Sequence, residues 1–374
     1  MITLRKSSFP IGLSFSDSIL RAVELKKTGE KIKINALSKY RLKPGIICDG
    51  EIKNKIELLK AINILLKKTK FGTFNTSEVV ASLPDSKTFI KLITVEKTIN
   101  SLIQSIEAEI EKHIPLPLKN IYFDWQVISE DSANYQILIG VAPKNITDQY
   151  IEILNDAKLS IIALEIESIS IARALLKEEA RKFDGEFNKN YCLIDIGAKR
   201  TGLAIYSKGT IATSVSLPIS SDESTELIAK SLEIDIDKAE KAKSICGLDP
   251  NQAQGVINEI LSKTISVLAE KIETSLDFFN KHYPNAGEID EIIICGTGAN
   301  IKNLDKALFE KTKILTRFGN PLTNLNEITE NLEKYLTNST DHKGNKPNQD
   351  LSSHIISYSV AVGLALRSAF IDTI

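Results

Sequence analysis

Residues 191–209, YCLIDIGAKRTGLAIYSKG, place a carboxylate and a glycine between two apolar runs. Asp195 ends the first run, and Gly197, Lys199 and Thr201 follow at the expected turn. Exposed backbone N–H groups at such a turn bind phosphate oxygens, and a carboxylate at a strand end can hold a hydrated Mg²⁺. Asp195 is therefore a candidate for the metal side of a phosphate site. The alternative is that Asp195 only caps a turn.

Residues 291–300, EIIICGTGAN, form a second candidate site. An apolar run is followed by Gly296, Thr297 and Gly298, with Asn300 shortly after them. The two glycines let a ligand approach the backbone closely, and the start of a following helix favours anionic or polar groups. A purely structural left-handed turn explains the same residues equally well.

Residues 237–248, DKAEKAKSICGL, supply the third candidate. Glu240 and Lys243 are three positions apart and lie on one face of the helix that this stretch predicts. Such a pair can contact a polar ligand. Taken alone, the pair is more typical of a solvated helix surface.

The composition is that of an ordinary globular protein. The chain has 374 residues, a formal net charge of −1 and 43% hydrophobic residues, so no global basic field suggests nucleic acid. The four cysteines show no CxxC pairing, which disfavours a disulfide framework or a zinc site. No signal peptide or membrane-spanning run is visible. We therefore expect a cytosolic protein that reaches a membrane only through a partner.

The pattern of apolar runs predicts an α/β protein in two lobes, each of which opens with a strand hairpin. The first hairpin is residues 11–25, IGLSFSDSILRAVEL, and the second is residues 193–209. Residues 87–158 read as a compact insertion. We predict its strands at 88–95, 121–128 and 135–142 and its helices at 98–113 and 146–157. A further helix is predicted at 168–182.

Four other stretches resemble the type IV pilus assembly protein PilM, a family with the two-lobed actin-like ATPase fold that is similar to the cell-division protein FtsA. They are EAEIEKHIPLPLKNIYFDWQVI (107–128), RLKPGIICDGEIKN (41–54), FGNPL (318–322) and AVGLALR (361–367). The resemblance covers essentially the whole chain. It implies that the region around Asp195, the GTG turn and the pair Glu240 and Lys243 contact the phosphates, the adenosine and the adenine of ATP.

The resemblance also implies a division into subdomains. The first lobe comprises 1–86 and 159–186, and 87–158 is a subdomain inserted in it. The second lobe comprises 187–222 and 288–374, and a closing helix at 355–371 returns toward the first lobe. Residues 223–287 form a helical subdomain.

A partner is implied as well. PilM is expected to bind the cytoplasmic tail of the inner-membrane protein PilN in a groove between the first lobe and the insertion. Residues expected near that groove are Pro115, Leu116, Tyr122 and Trp125. The alternative is that all four are core residues of the insertion.

Two stretches depart from the family pattern. Ser14 and Ser16 stand where the family usually has Asp-x-Gly, and Ser220, Ser221 and Asp222 stand where it usually has a glycine pair. Each lost contact to a phosphate or metal costs about 1–3 kcal/mol. We therefore expect weakened binding of ATP and Mg²⁺ and at most a weak ATPase, for which the sequence identifies no catalytic residue.

Two alternative functions remain open. One is an FtsA-like, membrane-tethered protein that forms polymers. The other is a kinase or phosphatase of the same fold, which would need an intact first phosphate turn and a catalytic acid; Ser14 and Ser16 disfavour it.

Overall fold

The computed structural model describes residues 9–97, 101–178, 189–338 and 355–370. Its strands and helices alternate in two lobes, as the apolar runs predict. The strands are β1 Ile11–Phe15, β2 Ile19–Thr28, β3 Lys31–Arg41, β4 Ile47–Cys48, β5 Glu51–Ile52, β6 Phe71–Gly72, β7 Glu78–Leu83, β8 Phe89–Glu96, β9 Ile121–Glu130, β10 Asn134–Pro143, β11 Ser160–Ile166, β12 Tyr191–Ile196, β13 Thr201–Ser207, β14 Thr210–Leu217, β15 Glu291–Cys295 and β16 Leu315–Phe318. The helices are α1 Lys55–Lys67, α2 Leu102–His113, α3 Lys144–Asp156, α4 Glu167–Leu175, α5 Ser221–Leu232, α6 Ile236–Cys246, α7 Val256–His282, α8 Leu304–Thr312, α9 Glu330–Asn338, α10 Ser359–Ala365 and α11 Arg367–Phe370.

The first lobe is a six-stranded sheet in the order β11-β7-β1-β2-β3-β6. Helix α1 covers one face of it. Asn54 caps the start of α1 by accepting a hydrogen bond from the Glu57 N–H, and the helix buries Leu58, Ile62 and Leu65 at helical spacing.

Helix α3 also packs on the first lobe. The sequence assigns this segment to the insertion, but Ile146, Tyr150 and Ile153 are buried in one core with β1 and α1. The Tyr150 hydroxyl donates to the Gly50 carbonyl oxygen at 2.9 Å, and its ring meets Phe15 edge to face at 5.2 Å. The i, i+4, i+7 spacing predicts an apolar face but does not say which core receives it.

The second sheet has eight strands in the order β16-β15-β12-β13-β14-β8-β10-β9. Its last three strands belong to the insertion, so the insertion extends the sheet of the second lobe. At the junction, Thr213 of β14 pairs with Lys91 of β8. The Tyr283 hydroxyl lies 2.8 Å from the Leu92 carbonyl oxygen and 3.1 Å from that of Ala212, and it joins the two strands.

Two predicted helices have different bounds in the structure. The helix predicted at 168–182 ends at Leu175, and Leu176 is extended; residues 179–182 lie outside the described residues. The closing helix predicted at 355–371 is divided into a 3-10 turn, α10 and α11. Helix α10 packs on α4 and β1 so tightly that a Cβ on Gly363 would lie 1.8 Å from the Ser170 carbonyl oxygen.

Candidate functional site

The two hairpins line a cleft between the lobes. A cavity of about 120 Å³ is lined by Ser16 and Asp17 of the first hairpin and by Asp195 and Gly197 of the second. A larger cavity of about 740 Å³ lies beside it, between β3 and α1 of the first lobe and α5 and α6 of the second. This volume is within the usual range for a small-molecule site.

The polar groups of the first hairpin hold its own turn. The Ser16 hydroxyl donates to the Ile19 carbonyl oxygen at 2.9 Å and accepts from the Ile19 N–H at 3.1 Å. The carboxylate of Asp17 accepts from the N–H groups of Asp49 and Gly50 at 2.7 and 3.0 Å. Ser14 is buried on β1. The carboxylate that the first hairpin places at the cleft, that of Asp17, is therefore already hydrogen-bonded to backbone N–H groups.

Asp195 lies at the end of β12, directly against Gly296. A Cβ on Gly296 would be 2.1 Å from Asp195 Oδ1. The backbone φ of Gly296 is +96°, which is also unfavourable for any other residue. Burial raises the pKa of Asp195, while Arg21 and a hydrogen bond with the Cys295 thiol lower it. The glycine of the GTG turn is thus required by the position of this carboxylate.

The other predicted residues of the second hairpin are bonded within the protein. Gly197 N–H donates to the Arg200 carbonyl oxygen at 2.9 Å and closes the turn. Lys199 Nζ lies 3.1 Å from Asp222 Oδ2, so the acid in place of the expected glycine pairs with this lysine. Thr201 is fully buried, and its hydroxyl donates to the Ile219 carbonyl oxygen at 2.8 Å.

Glu240 and Lys243 have different environments. Lys243 is only 2% exposed, and its Nζ donates to Ser221 Oγ at 2.8 Å, to Thr225 Oγ1 at 2.7 Å and to Glu240 Oε2 at 2.8 Å. The interpretation as a surface pair is therefore wrong for Lys243, which joins α5 to α6. The Glu240 side chain is 54% exposed and lines the larger cavity.

The remaining residues of the GTG stretch contact three neighbours. Thr297 lines the larger cavity and accepts a hydrogen bond from Arg21 Nη2 at 2.9 Å. A Cβ on Gly298 would be 2.7 Å from the Ser221 Cβ. Asn300 Nδ2 donates to Ser244 Oγ at 3.1 Å. Both glycines therefore have a packing reason, independent of any ligand.

Serines replace the expected glycine pair before α5, and both have structural contacts. Ser220 Oγ donates to the Ala198 carbonyl oxygen at 2.7 Å and accepts from the Glu223 N–H at 3.1 Å. It thereby caps α5 and fixes the turn of the second hairpin.

Two further acids at the cleft were not predicted from the sequence, Asp85 after β7 and Glu167 at the start of α4. Both line the smaller cavity together with Asp195. The Ser168 N–H donates to Asp85 Oδ1 at 3.3 Å, and the Asp85 N–H to Glu167 Oε2 at 3.5 Å. Burial, with Asp195 nearby, raises the pKa of Asp85 to about 7. The pKa of Glu167 is also raised, by burial and by the other two acids.

A buried cation, Arg21 on β2, was missed as well. It is 6% exposed, and its guanidinium lies 5.7 Å from the centre of the Tyr358 ring. Its Nε has no hydrogen-bond partner among the described residues. Burial lowers the pKa of Arg21, and Tyr358 and Asp195 oppose this shift. Its place inside an apolar strand pattern is the only sequence signal.

The residues predicted near the partner groove lie on the insertion and are not all in its core. Tyr122 is 46% exposed and Trp125 36% exposed, both on β9. The Tyr122 hydroxyl donates to Asp148 Oδ1 of α3 at 3.1 Å, so Tyr122 lies where the insertion meets the first lobe. Pro115 is exposed, whereas Leu116 packs against the core of the insertion.

Residues 12–369 match the family model described as type IV pilus assembly protein PilM. The chain belongs to the PilM family. The resemblance found in the sequence is thereby confirmed. Within the described residues of this PilM-family chain, no helix has the length and apolar character needed to cross a membrane.

Solved structures confirm the actin-like fold. A PilM-PilN type IV pilus biogenesis complex is similar with a TM-score of 0.74 and 22% identity, covering 96% of this chain and 98% of that one. The ethanolamine utilization protein EutJ from Carboxydothermus hydrogenoformans has a TM-score of 0.55 and 13% identity over 97% and 90% of the two chains. MreB 5 of Spiroplasma citri bound to AMPPNP has a TM-score of 0.54 and 13% identity over 99% and 97%.

Proposed function

We propose that this chain is an adaptor of the type IV pilus assembly machine that binds the cytoplasmic tail of a PilN-like inner-membrane protein. Through that tail it is held at the inner face of the membrane. Membership of the PilM family and the fold shared with a PilM-PilN complex support the proposal.

Strand β9 is the observation that carries the proposal. It is the last strand of the eight-stranded sheet, and within the described residues it pairs with β10 alone. An extended peptide can add to such an edge through backbone hydrogen bonds, while its side chains contact neighbouring apolar groups. Tyr122, Trp125 and Val127 offer those groups with exposures of 46%, 36% and 37%.

Helix α3 supplies the other side of the proposed groove. Tyr122 contacts it through Asp148, and Lys144 Nζ lies 5.2 Å from the centre of the Tyr122 ring. Because α3 packs on the first lobe, a tail bound at Tyr122 contacts both the insertion and the first lobe. Binding there would be sensitive to their relative position.

The same proposal includes a nucleotide in the cleft. The larger cavity has room for one, and Glu240 and Thr297 line it. The residues fit a metal ion less well, because the first hairpin has Ser14 and Ser16 and the Asp17 carboxylate is bonded to backbone N–H groups. Asp195 is the carboxylate that would remain on the metal side. Bound ATP would supply a polyanion that contacts both lobes.

The test is fluorescence anisotropy with a labelled peptide of the cytoplasmic tail of the PilN homologue from the same organism. We expect Tyr122→Ala and Trp125→Ala each to weaken binding by about tenfold or more, as interface aromatic residues commonly do. Phe309→Ala is the matched control, since Phe309 is 46% exposed on α8 of the second lobe. Binding by both β9 variants at the affinity of this control would refute the proposed groove.

A further inference from the structure

We infer that the first-lobe wall of the larger cavity is a phosphate site that works without a metal ion. The inference rests on the proposed nucleotide function and specifies its chemistry: protein cations neutralise a di- or triphosphate group where a metal ion would otherwise do so. The evidence is the distribution of charge around the cavity.

Four cations line this wall, and none forms an ion pair within the described part of the chain. They are Lys39, Arg41, Lys68 and Lys70. Lys39 and Arg41 are two positions apart on β3, so their side chains leave the same face of the sheet. Burial lowers the pKa of Lys39, and the charges of Arg21 and Lys70 lower it further. An anion placed here would relieve this repulsion.

Arg21 is the second, independent observation. It pairs with Lys39 across the β2–β3 ladder, and Ser14 pairs with Arg21 across β1–β2. Residues directly opposite one another share a face of the sheet. Its buried guanidinium reaches Thr297 on the cavity wall and leaves Nε without a partner among the described residues. A buried donor of this kind is costly unless an acceptor completes its hydrogen bonds.

The facing wall has a different character. Two of its acids are paired, Glu240 with Lys243 and Asp222 with Lys199. The same wall also carries Glu226, Asp237 and Lys241, so the acids of the lining lie on this side of the cavity, whereas the four cations of the first-lobe wall form no ion pair within the described residues. A polyphosphate would be attracted to the first-lobe wall by the cations themselves.

Loss of the first-hairpin carboxylate is consistent with this chemistry. A carboxylate at Ser14 would lie opposite Arg21 and neutralise it, since the two residues are cross-strand neighbours. With a hydroxyl at Ser14, Asp195 is the carboxylate whose charge acts on Arg21, so the guanidinium is less neutralised than it would be with two acids nearby and can still attract a phosphate. Charge-assisted bonds from arginine and lysine to phosphate are stronger than neutral ones and need no bridging ion.

The experiment is calorimetry on the whole chain with ATP, with inorganic tripolyphosphate and with adenosine, each in Mg²⁺ and in EDTA. We expect ATP to bind in EDTA with a Kd within about threefold of that in Mg²⁺, and adenosine to bind at least tenfold more weakly. Lys39→Gln and Lys70→Gln should each raise the Kd for ATP by about tenfold. The matched control is Lys263→Gln, because Lys263 is 75% exposed on α7.

The outcomes separate the inference from the function beneath it. ATP binding that disappears in EDTA, with Lys39→Gln and Lys70→Gln equal to the Lys263→Gln control, would overturn the inference and leave nucleotide binding intact. Tripolyphosphate that binds as tightly as ATP would support the phosphate site and identify its ligand as the polyphosphate group alone. Failure of both ligands to bind would overturn the inference and the nucleotide part of the proposed function. The tail-binding assay tests the adaptor role separately.

Discussion

At the scale of single residues, the cleft between the lobes is lined by side chains that lie far apart in the sequence. Asp195, Glu240 and Thr297 all line one of its two cavities. Lys243 was predicted to contact a nucleotide, with a solvated surface pair as the alternative, and the local sequence does not reveal that Ser221 and Thr225 accept its hydrogen bonds. The proposed contacts of Asp195, Glu240 and Thr297 with a nucleotide stay predictions.

Asp85 provides a prediction at this scale. Its pKa is about 7 in the fold against an ordinary 3.8, so the folded state keeps a proton that the unfolded state loses. Stability therefore falls as the pH rises from about 4 to 7. We expect Asp85→Asn to be more stable than the parent chain at pH 8, with the advantage lost near pH 4. For a chain of this size each kcal/mol corresponds to about 1–2 °C in Tm.

Thermal melts from pH 4 to 8 measure this difference. The control is Asp131→Asn, because hydrogen bonds from the N–H groups of Ala133 and Asn134 lower the pKa of the exposed Asp131 carboxylate. The Asp131 carboxylate stays ionised between pH 5 and 8, so the Tm of Asp131→Asn should change with pH in that range as the Tm of the parent chain does. An unchanged slope in Asp85→Asn would show that Asp85 ionises normally in the fold.

At the scale of elements, long apolar runs in the sequence predicted strands and helices, whereas polar or short strands were not predicted. Strands β8, β9 and β10 lie within two residues of the predicted 88–95, 121–128 and 135–142. The polar β14, TIATSVSL, and the four-residue β16 were not predicted. The early end of α4 is also non-local, since Asn324 Nδ2 donates to the carbonyl oxygens of Arg173 and Leu176 in its last turn.

The contact of α10 with α4 depends on a glycine and leads to a second prediction. We expect Gly363→Ala to lower the free energy of unfolding by about 3 kcal/mol or more, since the new Cβ would overlap the Ser170 carbonyl oxygen at 1.8 Å. Gly140→Ala is the control, because its Cβ would meet only Ile166 Cδ1 at an ordinary 3.5 Å. Urea unfolding of both variants compares them; equal midpoints would mean that α10 can move away from α4 at little cost.

At the scale of the whole molecule, the insertion connects the two lobes. Its strands extend the sheet of the second lobe, whereas α3, which follows directly, packs in the core of the first. The sequence order places the insertion within the first lobe but cannot predict that β8 pairs with β14, more than a hundred residues away. Pairings of such separation depend on the complete fold, not on a local pattern.

Tyr283 at the β8–β14 junction tests this connection. Burial raises its pKa to about 12, so the hydroxyl stays protonated and can donate to Leu92 or Ala212 at any physiological pH. We expect Tyr283→Phe to remove about 1 kcal/mol from the junction and to speed amide exchange in β8 and β14 about fivefold. Hydrogen exchange followed by mass spectrometry measures both strands.

Tyr150→Phe is the matched control for this experiment, because it removes a buried hydroxyl bond to Gly50 in the first lobe and leaves the junction intact. Faster exchange in β8 and β14 for Tyr283→Phe alone would mean that the junction opens as a local unit. Since β9 and the proposed tail groove belong to the same three-stranded layer as β8, opening there would also weaken the tail. Exchange in β8 that matches the Tyr150→Phe control would instead show that backbone pairing and the packing of the insertion hold the two parts together without Tyr283.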